Sequence, residues 1–232
     1  MTQAAVVTRL ALRELWISFR LFAVLAGFVA VGAIVALLPE PVHVTMERLA
    51  LGLGVVTCLT AAVAAWSMAE ERRAGRAGWL VTRSLQRGTL LAGWFAAIAT
   101  LGLLGLVAAG TLGWLAASSV ALRLAPAGYL ALLAGIGAAL LAAIASGLAT
   151  GSVLRAAPAA MLAASVVAAV IAVAWLVAPD PTVVPGGAYV ALARLSEPGT
   201  AIGPGLRAAG IGLACAAGLL VLARLALERA EL

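Results

Sequence analysis

The side chains in this sequence that can do chemistry are few and nearly all of one kind. Fifteen arginines stand against nine carboxylates, one histidine and two cysteines, and lysine is absent altogether. Without lysine there is no Walker A ammonium to reach a β- or γ-phosphate and no amine to form a Schiff base. His43 sits in a short polar stretch with no second His or Cys near it, which reads as surface, and no metal site is expected. Cys58 and Cys215 fall inside apolar runs and read as small buried hydrophobes. No convergent acids, histidine pair or serine with a base is visible, so no catalytic residue and no cofactor-binding residue is assigned. What chemistry remains lies in the placement of the arginines.

Five of the fifteen lie in residues 70–94, EERRAGRAGWLVTRSLQRGTLLAGW, the longest charged interruption between apolar segments. The residues between Gly78 and Gly88 can form a short helix held between two long ones. At about 100° per residue, such a helix brings Arg76, Arg83 and Arg87 into a narrow arc, with Trp79 beside them and Val81 and Leu85 on the other side. This pattern suits a helix lying on a membrane surface, one face in lipid and the other free to meet a partner. Simple anchoring to anionic lipid accounts for the same stripe, and the residues alone leave both roles open.

The elements that must position these side chains are apolar helices. A chain of 232 residues that is 65% apolar and 10% charged has too little polar surface to cover a water-soluble globule, which places it in a bilayer. Residues 2–20 read as an amphipathic interfacial helix. Arg9, Arg13 and Arg20 project within about 40° of one another, opposite Val7, Ala11, Leu15, Leu21 and Phe22, and Glu14 interrupts the apolar side. The run 21–38 is 18 residues long and lacks a small-x-small cleavage site, so it is expected to stay attached. At about 1.5 Å per residue it just crosses a hydrocarbon core of about 30 Å and becomes the first span. Further spans are expected at 49–69, 89–117, 128–154, 159–178 and 205–223, making an all-α membrane protein in one unit, 1–232. Residues 39–48 read as a polar loop. The stretch 179–204 carries five of the nine prolines, with an apolar segment at 188–195 long enough for a short helix.

Orientation follows from the arginines. With a cytoplasmic N-terminus, eleven fall on the inner side and only Arg48, Arg123, Arg194 and Arg207 on the outer, so both termini and residues 70–94 are expected in the cytoplasm. The third and fourth spans contain no charged side chain, which speaks against a proton-coupled carrier or an ion channel. Thr57, Thr60 and Ser67 are candidate polar residues of a transport pathway, although bonding to their own helix carbonyls is the more ordinary use of such hydroxyls. Gly147 and Gly151 have the GxxxG spacing that permits close helix contact.

The order of interfacial helix, six spans, basic helix after the second span and outer loop before the sixth resembles the ABC-2 type permease subunits of ATP-binding-cassette exporters. Those permeases commonly carry a stretch similar to ERExGTLELLLSLPVSRxELLLGK after the second span. Residues 70–94 lie along it without a gap, with Glu71, Gly75, Arg87, Leu90, Leu91 and Gly93 on matching positions. The run Ser152, Val153, Leu154, Arg155 is similar to the short turn between the family's fourth and fifth spans. Arg76, Gly78, Ser84 and Trp94 depart from the pattern.

The resemblance implies a coupling helix carrying Arg76, Trp79, Leu80, Arg83, Leu85 and Arg87, and an elbow helix carrying Arg9, Arg13 and Arg20. It implies as partners two copies of a separate ATPase subunit, which bind ATP and magnesium, and a second permease subunit, identical or similar, in the bilayer. No nucleic acid is expected. The composition suits a bacterial cytoplasmic membrane and a hydrophobic or amphipathic cargo, and the resemblance alone implies export as the direction. A non-transporting membrane scaffold and a secondary carrier are the rival readings.

Overall fold

A computed structural model describes residues 3–38, 41–74, 87–119, 126–173, 183–194 and 202–229. Eight helices run through them. They are α1 (Gln3–Ile17), α2 (Arg20–Leu37), α3 (Val42–Arg73), α4 (Arg87–Ser119), α5 (Pro126–Val153), α6 (Ala157–Val173), α7 (Gly187–Ala193) and α8 (Ile202–Arg229). Among the described residues there is no strand. Helices are what a lipid-facing chain must adopt, because no water is present to satisfy a backbone N–H or C=O that its own segment leaves unpaired. Five of the eight, α2, α3, α4, α5 and α8, are long and apolar enough to cross a membrane, and the protein is a multi-pass membrane protein. The apolar α6 is shorter, 17 residues or about 25 Å.

The helices extend past the apolar runs that announce them. α3 begins at Val42, inside the expected polar loop 39–48, and runs on through Glu70 to Arg73. His43 is exposed, as expected, but on the first turn of a helix. α8 likewise runs on to Arg229. Charged residues end the contact with lipid, not the helix, since Glu and Arg are good helix formers.

The N-terminal helix differs from expectation in extent and in use. α1 stops at Ile17, and the chain turns through Phe19, whose φ of 59° makes it the sole non-glycine residue with positive φ among the described residues. Arg20, Leu21 and Phe22 therefore belong to α2 and not to the amphipathic helix. The apolar face of α1, Val7, Ala11 and Leu15, is buried against protein, and Val7 sits on the bare backbone of Gly93 in α4. The exposed face carries Arg9 and Arg13 among Val6, Leu10, Trp16 and Ile17, an amphipathic mixture suited to the headgroup region. The Trp16 and Phe22 rings meet at a tilt, 4.9 Å apart, across the turn, and Phe19 stands 5.9 Å from Phe22.

α5 is the centre of the bundle. Leu132, Ile136, Leu140, Ile144 and Leu148 are completely buried along it, and it packs most extensively against α8, then α3 and α6. Small residues set these distances. A Cβ on Gly147 or Gly151 would run into the carbonyl oxygens of Ala61 and Ala65 on α3, so the GxxxG pair is a real helix crossing. On α8, Gly205 and Gly212 lie against the backbone of α5 at Ala131 and Ala138. Alanines at helical spacing, Ala61, Ala65 and Ala69 on α3 with Ala160, Ala164 and Ala168 on α6, make a second, all-alanine seam. α6 exposes Leu162, Val166 and Val170 on its opposite side, a stripe that only lipid or another apolar surface can cover.

The short α7 folds back into the bundle. Gly187, Ala188, Tyr189, Val190 and Leu192 are all buried, packed on α3, α5 and α8. The Tyr189 hydroxyl and Thr57 Oγ1 are 2.8 Å apart. Thr57 lies eight residues below Leu49, so α7 reaches about 12 Å under the end of the apolar stretch. Backbone away from a spanning helix is tolerated at such depth where protein surrounds it.

Candidate functional site: the arginine-rich end of the bundle

The helices alternate in direction, so one end of the bundle gathers the start of α2, the end of α3, the start of α4, the end of α5 and the end of α8. It holds Arg20, Arg72, Arg73, Arg87, Arg155, Arg224 and Arg229, and α1 with Arg9 and Arg13 packs beside it on α4. The opposite end holds Arg48, Arg194 and Arg207 among the described residues. Among the described residues nine arginines thus lie at or beside one end and three at the other, while Arg76, Arg83 and Arg123 of the eleven-against-four reading lie outside the described residues.

At this end Arg20, Arg72 and Arg87 each bond to another helix. Arg20 NH2 donates to Glu70 Oε2 at 2.5 Å, NH1 donates to Ser67 Oγ at 3.3 Å, and the guanidinium lies 4.5 Å over the Trp66 ring. The second Glu70 oxygen accepts from Arg73 at 3.2 Å. The Arg20 side chain is 10% exposed and Glu70 25%, so this charge-assisted pair ties α2 to α3 with little screening. Glu70, one residue past the expected end of the second span, is fixed by a partner 50 positions away that periodicity had placed on another helix.

Arg72 and Arg87 do a different job. Arg72 NH1 donates to the Ser152 carbonyl near the end of α5. Arg87 NH1 donates to the carbonyls of Leu227 and Glu228 at the end of α8, each at 2.8 Å. The last four carbonyls of a helix lack intrahelical donors and carry the negative end of the dipole, so a guanidinium there satisfies both needs. The two arginines flank residues 75–86 in sequence. Arg76, Trp79, Leu80, Arg83 and Leu85, the other residues of the expected coupling helix, lie outside the described residues. A cavity of about 680 Å³ opens here between α1, α4 and α8, walled by Ala4, Gly88 and Leu91 and rimmed by Arg87, Arg224 and Glu228. Arg224 Nε donates to Glu228 Oε1 at 2.8 Å.

The candidate pathway hydroxyls are buried and already bonded within the protein. Thr57 and Thr60 are buried and donate to the carbonyls of Leu53 and Val56, each at 2.8 Å, and Ser67 is buried beneath Arg20. Thr100, Thr111, Ser146, Thr150 and Ser152 bond back to their own helices in the same way. Cys58 and Cys215 are free thiols, half-buried, not fully enclosed. Among the described residues no group of His, Cys, Asp and Glu is placed to hold a metal.

Sequence reasoning did not find the arginine contacts with α5 and α8. The weak signal available was position alone: Arg72 is the next-to-last residue of α3 and Arg87 the first of α4. No family model matches the chain, and none of the curated proteins matches it.

Proposed function

We propose that this chain is the membrane-spanning permease subunit of an ATP-driven exporter of the ABC-2 type, embedded in a bacterial cytoplasmic membrane with both termini inside. In this reading α1 is the elbow helix, α6 completes a set of six spans as the fifth, and α7 is part of the outer loop before the sixth. Two permease subunits enclose the route for a hydrophobic or amphipathic cargo, and two ATPase subunits, carrying the ATP and magnesium, dock against residues 76–87.

One observation supports the reading above the rest. Arg72 and Arg87, on either side of residues 75–86, reach the C-terminal carbonyls of α5 and α8, the two helices with the most extensive mutual packing. A push on the intervening segment is therefore delivered to two tightly packed helices, the central α5 and the outer α8. A surface helix that served only to anchor the protein in lipid has no need of such connections. The chain contributes transmission and a route, while the phosphate chemistry is done by a partner.

Affinity purification of the chain from its own host's membranes in mild detergent tests the proposal. A stoichiometric nucleotide-hydrolysing subunit should copurify, and be lost in Arg83→Glu and Leu80→Glu variants that still insert. Recovery of the intact chain with no such subunit, under conditions that preserve other membrane complexes, returns the protein to the scaffold or carrier class.

A further inference from the structure

A groove of about 640 Å³ runs between α3, α6 and α7, starting at the end of the bundle opposite the arginine-rich one. Glu47 and Arg194 line it together with apolar residues, among them Leu51, Val55 and Ala169, and Cys58 lies at its deep end. Leu51 and Val55 are 66% and 70% exposed, so the groove opens sideways onto the surface that faces lipid. Its floor offers no unsatisfied polar atom, because the Tyr189 hydroxyl is already held by Thr57 at 2.8 Å. The Glu47 and Arg194 side chains are exposed, opposite in charge, and form no ion pair or hydrogen bond with any described residue.

The dimensions narrow the occupant. From Glu47 to Cys58 is eleven residues of α3, or about 16 Å, close to half of a hydrocarbon core of about 30 Å. The volume lies within the range of about 300–1,000 Å³ usual for small-molecule sites. One charge of each sign at the mouth matches a zwitterion, whereas a net anion is attracted by Arg194 but repelled by Glu47. We propose that this groove binds a zwitterionic phospholipid of the leaflet at that end, with one acyl chain along α3, the ammonium at Glu47 and the phosphate at Arg194. Bilayer embedding alone is assumed, so the site stands whether or not the chain belongs to an exporter.

Gly54 provides an obstruction point, since it lines the groove and a Cβ there meets nothing within 4 Å. The experiment uses the full chain with Cys215→Ala, leaving Cys58 as the only thiol, in a neutral detergent titrated with either phosphatidylethanolamine or phosphatidylglycerol. Two quantities are read: the rate at which N-ethylmaleimide alkylates Cys58, and the lipid retained in native mass spectrometry. Phosphatidylethanolamine should slow alkylation and be retained in preference to phosphatidylglycerol. Glu47→Gln, an exposed and fold-neutral change, should reduce that preference by about fivefold, the factor expected for one exposed charge contact. Gly54→Leu should slow alkylation without added lipid and retain neither lipid. Equal protection by both lipids that Glu47→Gln leaves unchanged overturns the proposal. So does protection that rises with protein concentration in the absence of lipid, which assigns the groove to a second copy of the chain.

Discussion

Replacing Arg87 by glutamine should loosen the end of α8 selectively. The arginine donates from one nitrogen to two terminal carbonyls, of Leu227 and Glu228, at 2.8 Å each. A hydrogen bond from a charged donor is worth about 1.5–3 kcal/mol net, and a cation at a helix C-terminus adds about 0.3–1 kcal/mol. The Glu228 carbonyl is exposed, so solvent competes there and the lower end of the range applies, about 1.5 kcal/mol in all. That is roughly a tenfold increase in opening of the last turn. Hydrogen–deuterium exchange of the amides of Ala226 to Arg229 reads it directly, because exchange follows the local opening equilibrium. Arg224→Gln is the control, since its partner Glu228 lies on the same helix and its side chain is 64% exposed; exchange there should change less than about twofold. Where an ATPase subunit is present, Arg87→Gln should also lower transport for each ATP hydrolysed, and Arg224→Gln should not. Exchange in Arg87→Gln that matches wild type, or matches Arg224→Gln, refutes the idea that this arginine holds α8.

Other consequences follow from the packing and the charge asymmetry. Gly147→Ala should lower the thermal midpoint in detergent, since the new Cβ meets the Ala61 carbonyl, a cost of about 1–3 kcal/mol; Gly210→Ala, where the space is open, should leave it unchanged or raise it slightly. Tyr189→Phe should cost about 0.5–1.5 kcal/mol in the same assay, because Thr57 keeps its bond to Leu53 and only the link to α7 is lost. In intact cells a membrane-impermeant thiol reagent should reach a cysteine placed at Thr200 and not one placed at Ser84; the reverse pattern overturns the orientation. The purified chain, shown by mass spectrometry to contain no other subunit, should hydrolyse no ATP, since it has no lysine with which to build a phosphate-binding loop.

Much of the architecture is legible in the sequence because lipid imposes a simple rule. Any uncharged run long enough to cross must be helical, so the apolar stretches locate α2, α3, α4, α5 and α8, and the short apolar segment at 188–195 locates α7. Even the amphipathic face of α1 is right in its members Val7, Ala11 and Leu15. What covers that face is not, because an apolar surface reads the same whether it meets acyl chains or Gly93.

The pairings had to come from the tertiary structure. Helices that are apolar all round carry almost no periodic signal of which side faces the core. Nothing local therefore indicates that Ala61 and Ala65 meet Gly147 and Gly151, or that the Tyr189 hydroxyl of α7 meets Thr57. The arginines show the same division. Their number and their bias toward one end follow from the sequence through the cost of moving a guanidinium across a bilayer. Their partners do not: Arg20 reaches Glu70 across 50 residues and Arg87 reaches Leu227 across 140. A charged side chain at a membrane edge takes whichever carboxylate or helix terminus the folded bundle brings beside it, and that choice exists only after the helices have packed.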